Sequence, residues 1–214
     1  MARIPLTLRL RKQAHKDIAE GQDLIVKSLY DFFPNAVLHG GTAIWRCYDG
    51  NRFSEDVDAY IPNNPPKIDA FFNALEKNGF KIKRDKKTEN SLYSLLEFNR
   101  TDVRFEALFR AKKGSLKEYE TADGNFITIY TLTPEELIKE KIDAYLKRLK
   151  VRDVYDIFFL LRHIKDLKEV SNGIKRFIRE FRMPLDEKEL KVLIIEGIVP
   201  GTEKMLDYIK RAVK

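Results

Sequence analysis

With 214 residues, 43% of them hydrophobic and 11% aromatic, the chain can bury a core as one large domain or two small ones, and 34% charged residues makes for a polar surface. The net charge of +7 gathers at the two ends: residues 1–30 carry 6 basic and 3 acidic side chains, residues 31–130 carry 15 of each, and residues 131–214 carry 19 and 15. No apolar run approaches the roughly 20 residues of a membrane span, the N-terminus has no signal-peptide core, and Cys47 as the single cysteine excludes an intrachain disulfide or a cysteine zinc cluster, so the expected location is cytoplasmic with no membrane partner.

Residues 22–33 set Leu24, Ile25, Leu29, Phe32 and Phe33 at helical spacing as far as Pro34, which predicts a helix. A short apolar strand at 36–38 runs into Gly40 and Gly41, and Thr42 opens a short helix that Asp49, Gly50 and Asn51 break. Residues 56–61 alternate as a strand, 67–77 read as a helix stopped by Gly79, and three strands follow at 80–84, 91–98 and 102–109, the last two as a hairpin. The five basic side chains within 81–87 read as a solvated guard on an exposed strand. After one more strand at 125–130, Thr133, Pro134 and Glu136 form a strong helix start, and only helical patterns follow. The expected organisation is therefore an α/β core with an N-terminal helix over 1–131 and a helical domain over 132–214.

Chemistry concentrates at two places in the first half. Gly40, Gly41 and Thr42 stand where a strand gives way to a helix, where glycines let backbone N–H groups approach a phosphate at the positive end of the helix dipole; a plain tight turn is the other reading. Asp56 and Asp58 project from one face of their strand. Such carboxylates repel unless a cation lies between them, and Mg2+ is commonly held by one or two carboxylates together with substrate phosphates. An edge strand with its polar face in water is the rival reading of the acids. Only one short helix separates the two features, and together they point to metal-dependent nucleotide chemistry.

The run Gly40-Gly41-Thr42-Ala43, a short helix, then Arg52, Ser54, Glu55, Asp56 and Asp58 resembles the first motif of the AbiEii-like nucleotidyltransferases, toxins of toxin–antitoxin systems within the polymerase-beta-like superfamily. Lys141, Asp143 and Ala144, followed by Arg148, Arg152, Asp153, Tyr155 and Asp156, are similar to that family's lysine and Arg-Asp elements in the helical half. The resemblance implies an α+β fold, a polymerase-beta-like nucleotidyltransferase mixed-sheet core followed by an all-helical C-terminal half. It also implies Mg2+ (or Mn2+) as cofactor, a nucleoside triphosphate as donor, an RNA (tRNA in some members) or protein acceptor, and a cognate antitoxin.

Carried over residue by residue, Gly40, Gly41, Thr42, Arg52, Ser54 and Lys141 are expected at the nucleotide, and Asp56, Asp58, Lys141, Asp153 and Asp156 are expected to be catalytic. The family places a third metal carboxylate on a neighbouring strand. Glu106 fits, alternating away from Val103, Phe105 and Ala107; Glu97 or Asp102 could replace it, and Arg104 on the same face offers Glu106 a plain surface pairing. Lys141 lies on the apolar stripe of Leu137, Ile138, Tyr145 and Leu149, so its stem should run along buried surface. On one unbroken helix Lys141 and Asp156 would stand roughly 22 Å apart, so both meet one nucleotide only if the helix breaks near 149–151. Arg152 and Asp156, four apart, could also simply pair. None of His15, His39 and His163 is assigned a role. The alternative to an enzyme is a catalytically silent nucleotide- or antitoxin-binding module, against which stands the presence of Asp56, Asp58 and Lys141 together.

Overall fold

The computed structural model describes residues 4–213, so the first three residues of the expected core domain and the last of the helical one lie outside the described residues. The chain folds as two compact units, one of residues 1–47 and 54–131, the other of residues 48–53 and 132–214. A division at 131 alone would leave 48–53 with the first unit.

The first unit is built on a seven-stranded mixed sheet: β1 (Val37–His39), β2 (Asp56–Ile61), β3 (Lys81–Lys87), β4 (Ser91–Phe98), β5 (Thr101–Phe109), β6 (Ser115–Glu120) and β7 (Phe126–Thr131), in the order β3-β4-β5-β2-β1-β7-β6. The β2–β5 and β1–β7 pairs are parallel and the others antiparallel. Period-two alternation gives one face Val57, Ala59, Val103, Phe105 and Ala107, all buried. Against that face lie α2 (Gln13–Phe32) and α4 (Pro65–Lys77). Phe71 of α4 meets Phe105 with ring centroids 5.1 Å apart. A Cβ on Gly21 of α2 would come within 3.1 Å of Val103, so the glycine permits the close approach of helix and sheet. A short helix, α1 (Leu6–Arg9), precedes α2. The basic strand β3 is an edge strand, exposed along nearly its whole length, as its charges foretell.

From β1 the chain passes directly into α3 (Gly40–Cys47), whose residues from Gly41 onward are all buried. Its one charged residue, Arg46, is paired with Asp23 of α2 and donates to the Glu120 carbonyl at 2.6 Å. Asp23 also accepts from Tyr119 and the Ala122 N–H, which settles a buried charge between three elements.

The second unit is helical: α5 (Pro134–Arg148), α6 (Val151–Leu160), α7 (Lys168–Glu180), a 3-10 turn at Glu187–Glu189, α8 (Leu190–Leu193) and α9 (Thr202–Ala212). The capping box foreseen at Thr133 and Glu136 is present in both directions. The Phe53 N–H donates to the Leu193 carbonyl and the Ile195 N–H to the Asn51 carbonyl, binding segment 48–53 to the end of α8 and the stretch after it. Between α5 and α6, Leu149 turns left-handed at φ 51°, so the helix breaks within the expected span. Among the described residues, no helix is long and apolar enough to cross a membrane.

Candidate active site

The parallel register of β2 and β5 sets Asp56 opposite Arg104 and Asp58 opposite Glu106, while the antiparallel pairing with β1 sets His39 opposite Asp58. All five share the face away from α2 and α4. Of the three candidates for a third acid, Glu106 is the one beside Asp58. Glu97 and Asp102 lie toward the hairpin tip, 3.4 Å and 2.8 Å from Lys83. Burial raises the pKa of Glu106 and the charges of Asp58 and Asp56 raise it further, so the three carboxylates act on one another.

Gly40 opens α3 with φ 72°, a region that favours glycine, and a Cβ there would fall on the Asp58 carboxylate. The turn is thus glycine for two independent reasons. It brings the N-terminus of α3 against the Asp58 carboxylate. Thr42, expected at the nucleotide, is turned inward: it is buried, and its hydroxyl donates to the Asp56 carbonyl. Gln22 of α2, which sequence alone does not mark, donates to the Thr42 hydroxyl at 3.3 Å and to the Ser54 carbonyl at 2.9 Å. It ties α3 to the start of β2, and Ser54 is buried beside it.

These acids suit a divalent cation. Oδ1 of Asp56 is buried and accepts no hydrogen bond, and the cation that faces it among the described residues is the Arg104 guanidinium, with Nε 2.5 Å away. Among the described residues no three acidic, histidine or cysteine side chains are drawn into a finished metal cage.

The remaining expected residues meet in the second unit. The turn at Leu149 folds α6 back along α5, and Lys141 Nζ lies 2.8 Å from Asp156 and 3.8 Å from Asp153. Arg52 forks onto both oxygens of Asp156 at 2.8 Å and 2.9 Å, and Arg148 onto those of Asp153 at 2.8 Å and 2.7 Å. Asp156 therefore takes its cations from Arg52 and Lys141, not from the neighbouring Arg152 that helical spacing offers. Both aspartates are fully buried, and Lys141 and Arg52 are 7% and 4% exposed. Burial alone would push the pKa of Asp156 up, but Arg52 and Lys141 outweigh it and hold it below the usual carboxylate range. Arg52, expected at the nucleotide, has two of its nitrogens committed to Asp156 and a third to the Phe53 carbonyl.

The fold is shared with solved structures, nucleotidyltransferases among them. JHP933 from Helicobacter pylori superposes with a TM-score of 0.64 at 21% identity, over 95% of this chain and 91% of that one. MenT4, a nucleotidyltransferase toxin from Mycobacterium tuberculosis, does so with a TM-score of 0.64 at 18% identity, over 95% and 84%. A putative nucleotidyltransferase from H. pylori matches with 0.64 at 19%, over 95% and 94%. At such identities the likeness establishes the fold, and that fold is a nucleotidyltransferase fold. The chain itself belongs to the AbiEii family: the model described as "Nucleotidyl transferase AbiEii toxin, Type IV TA system" matches residues 23–206. It is thereby a nucleotidyltransferase of a toxin family, as the two motifs imply. A comparison with curated protein sequences gives no significant match.

Proposed function

We propose that the protein is the toxin of a toxin–antitoxin pair and moves a nucleotidyl group from a nucleoside triphosphate to an RNA or protein acceptor, tRNA among the RNAs. One observation supports the reading above all: Asp56, Asp58 and Glu106 share one sheet face, with the Gly40-Gly41 turn pressed onto Asp58. In such a transfer an acceptor oxygen bonds to the α-phosphorus and pyrophosphate leaves, so the protein's work is positioning and charge neutralisation. A divalent cation, Mg2+ or Mn2+, held by Asp56, Asp58 and Glu106, would supply the neutralising charge at the triphosphate. The Gly40-Gly41 turn offers backbone N–H groups to the phosphates, and Thr42 and Ser54 hold that turn and β2 in place through Gln22. In the second unit Lys141 is the cation assigned to the nucleotide, with Asp153 and Asp156 orienting its ammonium and Arg52 orienting Asp156.

The test is incubation with each labelled nucleoside triphosphate, Mg2+ and total RNA or total protein, following which label moves to which acceptor. Transfer is expected for the wild type and lost in Asp56→Asn and Asp58→Asn, both of which keep their circular dichroism and melt no lower than wild type. Label that never leaves the triphosphate, or full transfer by either variant, overturns the reading. Expression of the wild type is expected to arrest growth, and of Asp58→Asn to permit it.

A further inference from the structure

Two carboxylates alternating on one strand face cannot both stay ionised at close range without a positive charge nearby. In this molecule that charge comes from the neighbouring strand. Arg104 stands opposite Asp56 in the β2–β5 register, and its Nε lies 2.5 Å from Asp56 Oδ1. The same guanidinium reaches the other way, with Nη2 donating to Glu55 Oε2 at 3.1 Å. The two contacts differ in kind. The bond to Glu55 is directed, whereas the Nε–H is not aimed at Asp56, whose Oδ1 is buried yet accepts no hydrogen bond. The guanidinium therefore shields that oxygen from water by charge and contact, without giving it a hydrogen bond that an incoming cation would have to break.

We propose that Arg104 is a positioning residue that acts as the exchangeable counter-ion of the acidic site. It holds Asp56 in the metal-free protein and is displaced from it by the divalent cation, while Glu55 keeps the released guanidinium beside the site. This rests on the reading that Asp56, Asp58 and Glu106 bind a divalent ion. Metal binding is then an exchange of one cation for another, and Arg104 sets the affinity.

The distinguishing control is Arg84 of β3. It stands opposite Leu95, which in turn stands opposite Arg104, so it lies on the same face two strands away, roughly 10 Å at sheet spacing. Removing either arginine deletes one positive charge, but only Arg104 touches Asp56. Mn2+ binding to the full chain, followed by the electron paramagnetic resonance of the free ion, is expected to tighten about threefold or more in Arg104→Gln and to stay at the wild-type value in Arg84→Gln, as befits a partly exposed ion pair.

Equal affinity in Arg104→Gln and wild type, or the same gain in Arg84→Gln, overturns the exchange while leaving the metal site standing. Absence of Mn2+ binding in all three proteins removes the metal reading and the exchange together. A measurement on the wild type covers a failure of Arg104→Gln to fold. The Nε–H resonance of Arg104, assigned by its loss in Arg104→Lys, is expected to shift on saturation with Mg2+, and a resonance that does not move overturns the proposal.

Discussion

Lys141, proposed to meet the nucleotide, also holds the fold. Its spacing on α5 foretells a stem along apolar surface, and the structure adds an ammonium held between two buried aspartates. A methionine would fill the space of the stem but leave Asp156 with Arg52 alone. Because removing one partner of a buried ion pair uncovers the other's charge, and because the Arg52 fork compensates in part, Lys141→Met is expected to cost about 2 kcal/mol in urea unfolding. It is also expected to weaken nucleotide binding per folded molecule about tenfold, measured by calorimetry at a temperature where the variant is fully folded. An unchanged affinity would leave the lysine with a purely structural role. The pairing of Arg52 with Asp156 illustrates what residue-level reading misses. These side chains are 104 positions apart, and no local pattern connects them. Arg104 was legible as a neighbour of Glu106, but its partner, Asp56, follows from a parallel register that no single strand reveals.

Elements were legible where their apolar period was complete. The first half of β2 and the β4–β5 hairpin alternate between a buried face and a more exposed one, and each lies where that alternation sets it. Strand β6 was not foreseen, and the cause is physical: it is an edge strand whose first four residues are exposed, so it carries no alternating signal. The first part of α2 was missed for a different reason. Its charged positions and Gly21 dilute the apolar period, and the glycine makes sense only against Val103 and Phe98 of the sheet. At the other extreme, the start of α5 is written in four residues. Thr133 accepts from the Glu136 N–H, and the Glu136 carboxylate accepts from the Thr133 N–H. Thr133→Ala removes one half of this reciprocal cap and is expected to lower stability by about 1 kcal/mol, read from the urea midpoint at constant slope.

At the scale of the molecule, three carboxylates of the helical unit and two of the sheet unit respond to acid in opposite ways. In the helical unit Asp156, Glu135 and Asp186 are all held below the ordinary carboxylate range. Burial opposes the charge of each. It is outweighed by Arg52 and Lys141 at Asp156, by the Lys165 N–H at Glu135, and by the Val151 N–H and Lys150 at Asp186. A depressed folded pKa gives stability that is complete above the unfolded value, near 4, and is lost as pH falls through the folded one. In the sheet unit, burial above all raises Asp23 and Glu106, so protonating them favours the folded state as pH falls toward the unfolded value, while the exposed Asp123, held down to about 2 by Thr121 and Asn125, and His15, lowered by burial, act the other way. The helical unit sets its three depressed carboxylates against no raised one among those with a resolved shift, whereas in the sheet unit Asp23 and Glu106 offset Asp123 and His15, so acid is expected to melt the helical unit first. Trp45, the single tryptophan, is buried in α3 of the sheet unit and reports on the packing around that helix. Between about pH 4 and pH 2, ellipticity at 222 nm should fall before Trp45 fluorescence changes, and coincident transitions would contradict the expectation.

The segment 48–53 leaves the sheet unit after α3, folds with the helical unit and returns to begin β2. The two units are consequently stitched together by connectivity: the chain passes from one to the other three times, and a ribosome completes the sheet unit's strands before it has made the partner of Arg52. A fragment ending at 131 would carry that guanidinium without Asp156, and a fragment beginning at 132 would carry Asp156 with only Lys141. A cut at 131 therefore divides the helical unit from its own segment 48–53.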